Sequence, residues 1–258
     1  MITYALLLIA IYVFVRHTTW KAQPWPSRGL KPPVYQGHRG YWKGGAQENT
    51  LAAFRAAKER GLGMVELDVH LSKDLIPVVF HDEDLKRLGH QDVRVEDLTA
   101  QELLERVQAP SLEELLRSSD VTEFFNIELK TDKAFFGILE KAVAEVVRKT
   151  QSESRVLFSS FNPLAIRRLS KLLPEVPRAL LATAGKEPGN RIYLRKLWFA
   201  PYIRANLLHL DYRFVDSAAI KRWSQRGVPV ALWTVNDEAK AKEFLAAGAV
   251  SIISDTLH

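Results

Sequence analysis

Short apolar runs rich in strand-forming residues return eight times between Val34 and Ser254, at 34–36, 64–70, 124–130, 156–159, 179–182, 207–210, 228–235 and 250–254. Between them lie stretches with helical spacing, at 50–60, 111–116, 135–149, 163–172, 217–226 and 238–247, several opened by Asn, Ser or Thr and closed by Gly. Strands that alternate with helices must run parallel, because each helix carries the chain back to the starting edge. Eight such units predict a closed (β/α)8 TIM barrel rather than an open sheet. One stretch breaks the alternation: Asp74 to Phe80 reads as a hairpin, with Leu75 where a turn glycine is expected, so Asp74 or Leu75 takes the turn. Between His81 and Phe124 the sequence leaves room for one loop and one helix.

The run Met64-Val-Glu-Leu-Asp-Val-His70 carries unusual chemistry for so apolar a strand. With a period of two, Glu66 and Asp68 share one face, where unpaired they would raise each other's pKa and lose hydration. A bound divalent cation makes that charge density useful; the plain alternative, an acidic solvent face, fits poorly with Met64, Leu67 and Val69. His81, a short turn later, is a candidate proton carrier. In a barrel of this kind the chemistry sits at the carboxyl ends of the strands. His38 and Arg39, Glu66 and Asp68, Glu128 and Lys130, Ser159 and Ser160, and Trp233 all fall there.

Cysteine is absent, which excludes disulfides, thiolate catalysis and cysteine metal sites. The net charge of +6 is confined to the beginning: Arg16, Lys21, Arg28, Lys31, Arg39 and Lys43 precede the first acidic residue, Glu48. The rest of the chain is balanced, so no nucleic-acid footprint is expected on the folded domain. Residues 1–20 are largely apolar and predict a single-pass transmembrane anchor, with Trp20 and Trp25 at the interface. A cleaved signal is disfavoured by the lack of a basic start and of a small-residue site before Lys21, and a helix lying in the interface is the shorter alternative. Residues 21–33, with Pro24, Pro26, Pro32 and Pro33, predict a stiff spacer, and 34–258 the barrel. The cations after the apolar run place the domain on the cytoplasmic face.

The ordered set His38-Arg-Gly40, Glu48-Asn-Thr50, Glu66-Leu-Asp68, His81-Asp82, Glu128-Leu-Lys130 and Trp233-Thr-Val-Asn236 resembles the glycerophosphodiester phosphodiesterase family. The resemblance runs from Gly37 to the end and leaves out the leader. It implies Glu66, Asp68 and Glu128 as metal ligands, His38 and His81 as the catalytic pair, Arg39 and Lys130 on the phosphate, Glu48 as a supporting group and Trp233 as a pocket wall. An all-carboxylate site selects a hard cation, Mg²⁺ or Ca²⁺. Taken alone, Lys130 reads as a solvated strand end and Trp233 as core. Asp82 is a candidate for orienting a neighbour, His70 reads as structural, and His90, His209 and His258 carry no expected role.

The implied activity is hydrolysis of a glycerophosphodiester to glycerol 3-phosphate and an alcohol. Basic and aromatic residues between Lys186 and Arg213 suit a membrane interface, although an ordinary barrel helix would look similar. Together with an anchored leader they make a lysophospholipid, cleaved in lysophospholipase D fashion, the alternative substrate. A catalytically silent module that binds phospholipid headgroups is the alternative of another class, and it requires the loss of a catalytic residue.

Overall fold

The computed structural model describes residues 2–26, 30–131, 137–186 and 190–258. Among the described residues nine strands form one sheet: β1 (Tyr35–His38), β2 (Met64–Leu71), β3 (Pro77–Val79), β4 (Phe124–Leu129), β5 (Val156–Ser160), β6 (Arg178–Ala182), β7 (Leu207–Asp211), β8 (Val230–Trp233) and β9 (Ser251–Ser254). All but β3 are parallel neighbours, and β1 pairs with both β2 and β9, which closes the expected barrel. β3 is the hairpin partner of β2 on the outside, and Leu75 takes its left-handed turn position at φ 61°.

Alternation along the strands makes two layers. In β7, Leu208 and Leu210 face out, into a cluster with Ile220, Val230 and Ile252, while Leu207 faces in and joins Leu157, Ala179 and Ala231 at the barrel floor. The outer cover includes α2 (Leu51–Glu59), α5 (Leu112–Arg117), α6 (Ile138–Lys149), α7 (Pro163–Leu172), α9 (Ser217–Gln225) and α10 (Glu238–Ala246), close to the expected bounds. The expected start of α6 at Phe135 lies outside the described residues. Of Asn49 and Thr50, it is Thr50 that caps α2, accepting the Ala53 amide; Ser111 accepts that of Glu114, as its sequence signals, and Asn162, ahead of Pro163, accepts that of Leu164.

The segment after β3 is larger than one loop and one helix. α3 (Lys86–Gly89), a 3₁₀ turn at Val95–Asp97 and α4 (Ala100–Val107) enclose a small core of Val78, Phe80, Leu85, Val95, Leu103 and Val107. The sequence does mark α4, through the capping box of Thr99 with Glu102 and the apolar Leu103 and Val107 one turn apart, but the expectation of a single helix here leaves it out.

The leader departs most from expectation. α1 (Ile2–Thr19) has 18 residues, about 27 Å of helix against roughly 30 Å of hydrocarbon. Among the described residues no helix is long and apolar enough to cross a membrane, so the expected transmembrane anchor is not supported. The last turn of α1 is also spoken for. Arg16 donates to the Pro201 carbonyl, His17 Nε2 lies 2.8 Å from the Trp198 carbonyl, and Arg226 donates to the His17 carbonyl. From Tyr4 to Val15 every side chain is exposed, on all sides of the helix. The expected interfacial Trp20 is buried instead, edge-on to Trp223 at 6.0 Å. The expected spacer is pinned to the domain: the Gln23 amide donates to Ala205, Asn206 donates to the Pro24 carbonyl, and Trp25 packs against the barrel floor. Of the 186–213 segment, α8 (Ile192–Arg195) and a 3₁₀ turn at Ala200–Tyr202 leave Ile192, Trp198, Phe199 and Tyr202 exposed beside the foot of α1.

Trp20→Ala is therefore expected to destabilise the protein by about 3–5 kcal/mol, the usual cost of truncating a buried aromatic. Urea unfolding would show it as a lower midpoint at unchanged slope. A midpoint equal to wild type would mean that the leader is a free tether.

Candidate active site

The turn after β1 is built by backbone conformation. Arg39 sits at φ 59° and Gly40 at φ 85°, where an added Cβ on Gly40 would meet the Ala53 backbone at 2.8 Å. The left-handed Arg39 costs on the order of 1 kcal/mol, and its contacts offset that. Its amide donates to Glu66 Oε2 (3.2 Å), its Nη1 to Glu48 Oε1 (2.8 Å), and its Nε lies 3.4 Å from Asp68 Oδ2. Asn49 donates to that same Asp68 oxygen, Oδ2 (2.8 Å). Glu48 holds the Arg39 guanidinium in place, its carboxyl kept below its ordinary range against burial by Arg87 and Arg39.

Glu66 and Asp68 leave β2 on the same face, and the β2–β4 register sets Glu128 beside Asp68. Their carboxylates lie within 4.8 Å of one another and are buried. Lys130 Nζ bonds Asp68 Oδ1 at 2.9 Å and Glu128 Oε1 at 2.6 Å. Burial, then Asp68 and Glu128, push the Glu66 carboxyl well up; burial also opposes ionisation of Asp68, yet Lys130, His81 and Arg39 hold it low. Three carboxylates share two fixed cations, so the cluster has a charge deficit that one hard cation would fill. The oxygen-only donor set fits Mg²⁺ or Ca²⁺, with Glu66, Asp68 and Glu128 as its holders. Arg39 and Lys130, expected on phosphate, stand at the same cluster and border the cleft.

Both histidines are backed by carboxylates. His38 Nδ1 lies 2.7 Å from Asp255 Oδ1, and Asn236 fixes the other Asp255 oxygen at 2.7 Å. His81 Nδ1 lies 2.6 Å from Asp82 Oδ1, and Arg87 on α3 bridges Asp82 Oδ2 (2.7 Å) to Glu48 (2.5 Å). A donor at Nδ1 leaves Nε2 as the proton-carrying position of each ring. Burial lowers the His81 pKa, and Asp68 opposes it. The His70 ring nitrogen Nε2 lies 3.0 Å from the His81 carbonyl, at the turn that carries the His81 ring.

His38, Arg39, Glu66, His81, Glu128 and Lys130 line one cleft of ≈ 500 Å³ together with Trp233, Phe161, Ser159 and His209. Trp233 lines the cleft, with Phe161 edge-on to its ring at 5.6 Å and its indole N–H on the His209 carbonyl at 3.1 Å. The hydroxyls of Ser159 and Ser160 are turned to Asn126 and to the Leu129 carbonyl. Asp255, Asn236, Asn49 and Arg87 were not assigned from sequence. Asp255 lies one residue past the end of β9, so the strand-end rule would have found it; Arg87 sits in the insertion and carries no such signal. A second groove of ≈ 970 Å³ shares Lys130 and continues along His70, Lys73, Leu75, Arg94 and Ile138.

Two carboxylate-backed histidines beside a buried carboxylate cluster, with Arg39 and Lys130 at the rim, stand at the carboxyl ends of the strands of a parallel barrel, where such folds carry their chemistry. Residues 37–258 match the Glycerophosphoryl diester phosphodiesterase family, and the chain belongs to that family. It is 30% identical over 233 residues to a glycerophosphodiester phosphodiesterase of Caldanaerobacter subterraneus subsp. tengcongensis, covering 84% of this chain and 92% of that protein. It is 27% identical over 301 residues to human lysophospholipase D, covering 96% and 90%. An Oleispira antarctica phosphodiesterase, solved with the product sn-glycerol-3-phosphate, superposes with a TM-score of 0.74 at 29% identity, over 86% of this chain and 93% of that one.

Proposed function

We propose that this phosphodiesterase hydrolyses glycerophosphodiesters to glycerol 3-phosphate and an alcohol by paired-histidine acid–base catalysis with one divalent cation. The observation that carries the reading is the pair of carboxylate-backed imidazoles, His38 and His81, in one cleft with the Glu66–Asp68–Glu128 cluster. When bound, the cation supplies neutralisation of charge on the phosphoryl oxygens. Arg39 and Lys130 add fixed positive charge there, and Trp233 walls off water on the far side. One histidine takes the proton of the attacking hydroxyl, from water or from the substrate's own glycerol, and the other gives a proton to the departing alkoxide.

A lysophospholipid is the second reading, favoured by the apolar surface of α1 and by the similarity to the human lysophospholipase D. We place α1 partly in one membrane leaflet. A helix apolar all round asks for a lipid environment, since a protein groove needs only a stripe. Arg16, Lys196 and the exposed Trp198 and Tyr202 at its foot suit the headgroup level. The basic leader argues for the cytoplasmic side, and reporter activity outside the cytoplasm from a fusion after His258 would refute that. Flotation with anionic vesicles is expected for wild type and lost for Leu7→Asp/Ile11→Asp; dimerisation without flotation would make α1 a contact between copies.

Product analysis decides the substrate. Glycerophosphocholine and lysophosphatidylcholine are supplied in parallel with Mg²⁺, Ca²⁺ or chelator, against His38→Ala. Glycerol phosphate from the first supports the main reading, and lysophosphatidic acid from the second supports the alternative. No cation-dependent product from either, with lipid binding retained, supports the headgroup-binding module, which the intact catalytic set argues against.

A further inference from the structure

His209 is the buried polar residue that the chemistry above does not use. It faces inward from β7 between the floor residue Leu207 and Asp211, whose carboxylate is engaged by Thr183 and Arg213. Its side chain is fully buried, yet neither Nδ1 nor Nε2 has a hydrogen-bond partner among the described residues. Buried polar atoms are nearly always paired, so an imidazole with both nitrogens unmet, lining the catalytic cleft, points to a partner that arrives with the ligand. The backbone fixes it there: its carbonyl receives the Trp233 indole N–H, and its neighbours in the cleft are Leu181 and Trp233.

Position around the ring gives the class of partner. In the closed order β1-β2-β4-β5-β6-β7-β8-β9, β7 stands opposite β2, the strand of Glu66 and Asp68. A phosphodiester held at the carboxylate and cation side therefore turns its organic portion toward β7 and β8. Burial drives the His209 pKa down to about 3, so the ring is neutral at working pH and offers one N–H donor and one lone pair. Either nitrogen can meet an alcohol, which accepts from the N–H or donates to the lone pair, whereas a phosphate oxygen, which only accepts, can meet the N–H alone. The ring of Trp233 and the side chain of Leu181 suit the carbons that carry such an alcohol.

We infer that His209 is a substrate-binding residue that hydrogen-bonds a hydroxyl of the glycerol moiety and so selects a polyol phosphate over a plain alkyl one. The inference rests on the glycerophosphodiester reading and says which part of that substrate lies against β7.

The test compares binding of sn-glycerol 3-phosphate with that of propyl phosphate, which keeps the phosphate and lacks the hydroxyls, by calorimetry on full-length protein with Mg²⁺. Wild type is expected to prefer glycerol 3-phosphate by about tenfold or more, since a site built for a hydroxyl penalises its loss. His209→Leu is expected to erase that preference while leaving propyl phosphate affinity within about twofold, and His209→Asn, which keeps a donor and an acceptor, to restore part of it. In wild type, the His209 ring ¹⁵N signals, assigned by their absence in His209→Asn, are expected to move with glycerol 3-phosphate and stay still with propyl phosphate. A retained preference in His209→Leu, equal loss of both ligands, or ring signals unmoved by glycerol 3-phosphate would overturn the assignment. Wild-type turnover of glycerophosphocholine, run alongside, separates the cases: turnover with a silent His209 removes this inference alone, and absence of turnover removes the functional reading beneath it.

Discussion

His81→Ala is expected to lower kcat by about 10²–10⁴ with little change in KM, the range that a positioned acid or base contributes. The ring is partly exposed and carries no packing load comparable to the core, so its loss should leave the melting temperature near wild type. Asp82→Asn should follow in the same direction with a smaller loss, because Asp82 acts only by holding the Nδ1 side of the ring. His38→Ala should match His81→Ala on a substrate with an ordinary alcohol leaving group. A substrate with an activated leaving group, such as a nitrophenyl phosphodiester, no longer needs a proton donor. The histidine whose alanine variant recovers on that substrate is the acid, and the other is the base. Wild-type rates in both alanine variants would remove acid–base catalysis by this pair.

Stripping divalent cations is expected to abolish turnover, and Glu66→Gln to do so at cation concentrations that saturate wild type. Loss of one of three anionic oxygen ligands should weaken cation affinity beyond the roughly 10–100-fold typical of changes behind the ligands. The direction with pH follows from Glu66. Burial and its acidic neighbours raise its pKa, so without a cation the carboxyl holds its proton into less acidic solution than usual. Cation binding must expel that proton, so affinity should rise with pH until the raised pKa is passed and then level off. Calorimetry in two buffers of different ionisation enthalpy would report proton release, and Glu66→Gln should show less of it. Undiminished turnover in excess chelator would refute a cation requirement.

The barrel was legible because eight strand runs and their helix caps repeat a local pattern, and the site was legible because strand ends converge on one rim. Glu66, Asp68, Glu128, Lys130, His38 and His81 therefore meet as the ordered motifs imply. What escaped depends on distance in the chain. Asp255 meets His38 across 217 residues, and its place just past a strand end marks it as a rim residue without naming its partner; Arg87 meets Glu48 across 39, with nothing in the local sequence to announce it. His209 looked inert because an isolated histidine in an apolar strand has no period or spacing to mark it. The leader misled for a related reason: hydropathy reads Trp20 and Trp25 as interfacial, but the floor of the barrel and the Trp223 ring supply an apolar seat nearer at hand.

Arg87 has a consequence for how the enzyme would fail. It belongs to the small module between β3 and β4, yet it holds both Asp82 behind His81 and Glu48 beneath Arg39. The module has its own core of modest size, separate from the barrel clusters, and segments of that kind can open while the rest stays folded. Each such opening would release two catalytic supports at once. Heat would then silence the chemistry before it melts the barrel.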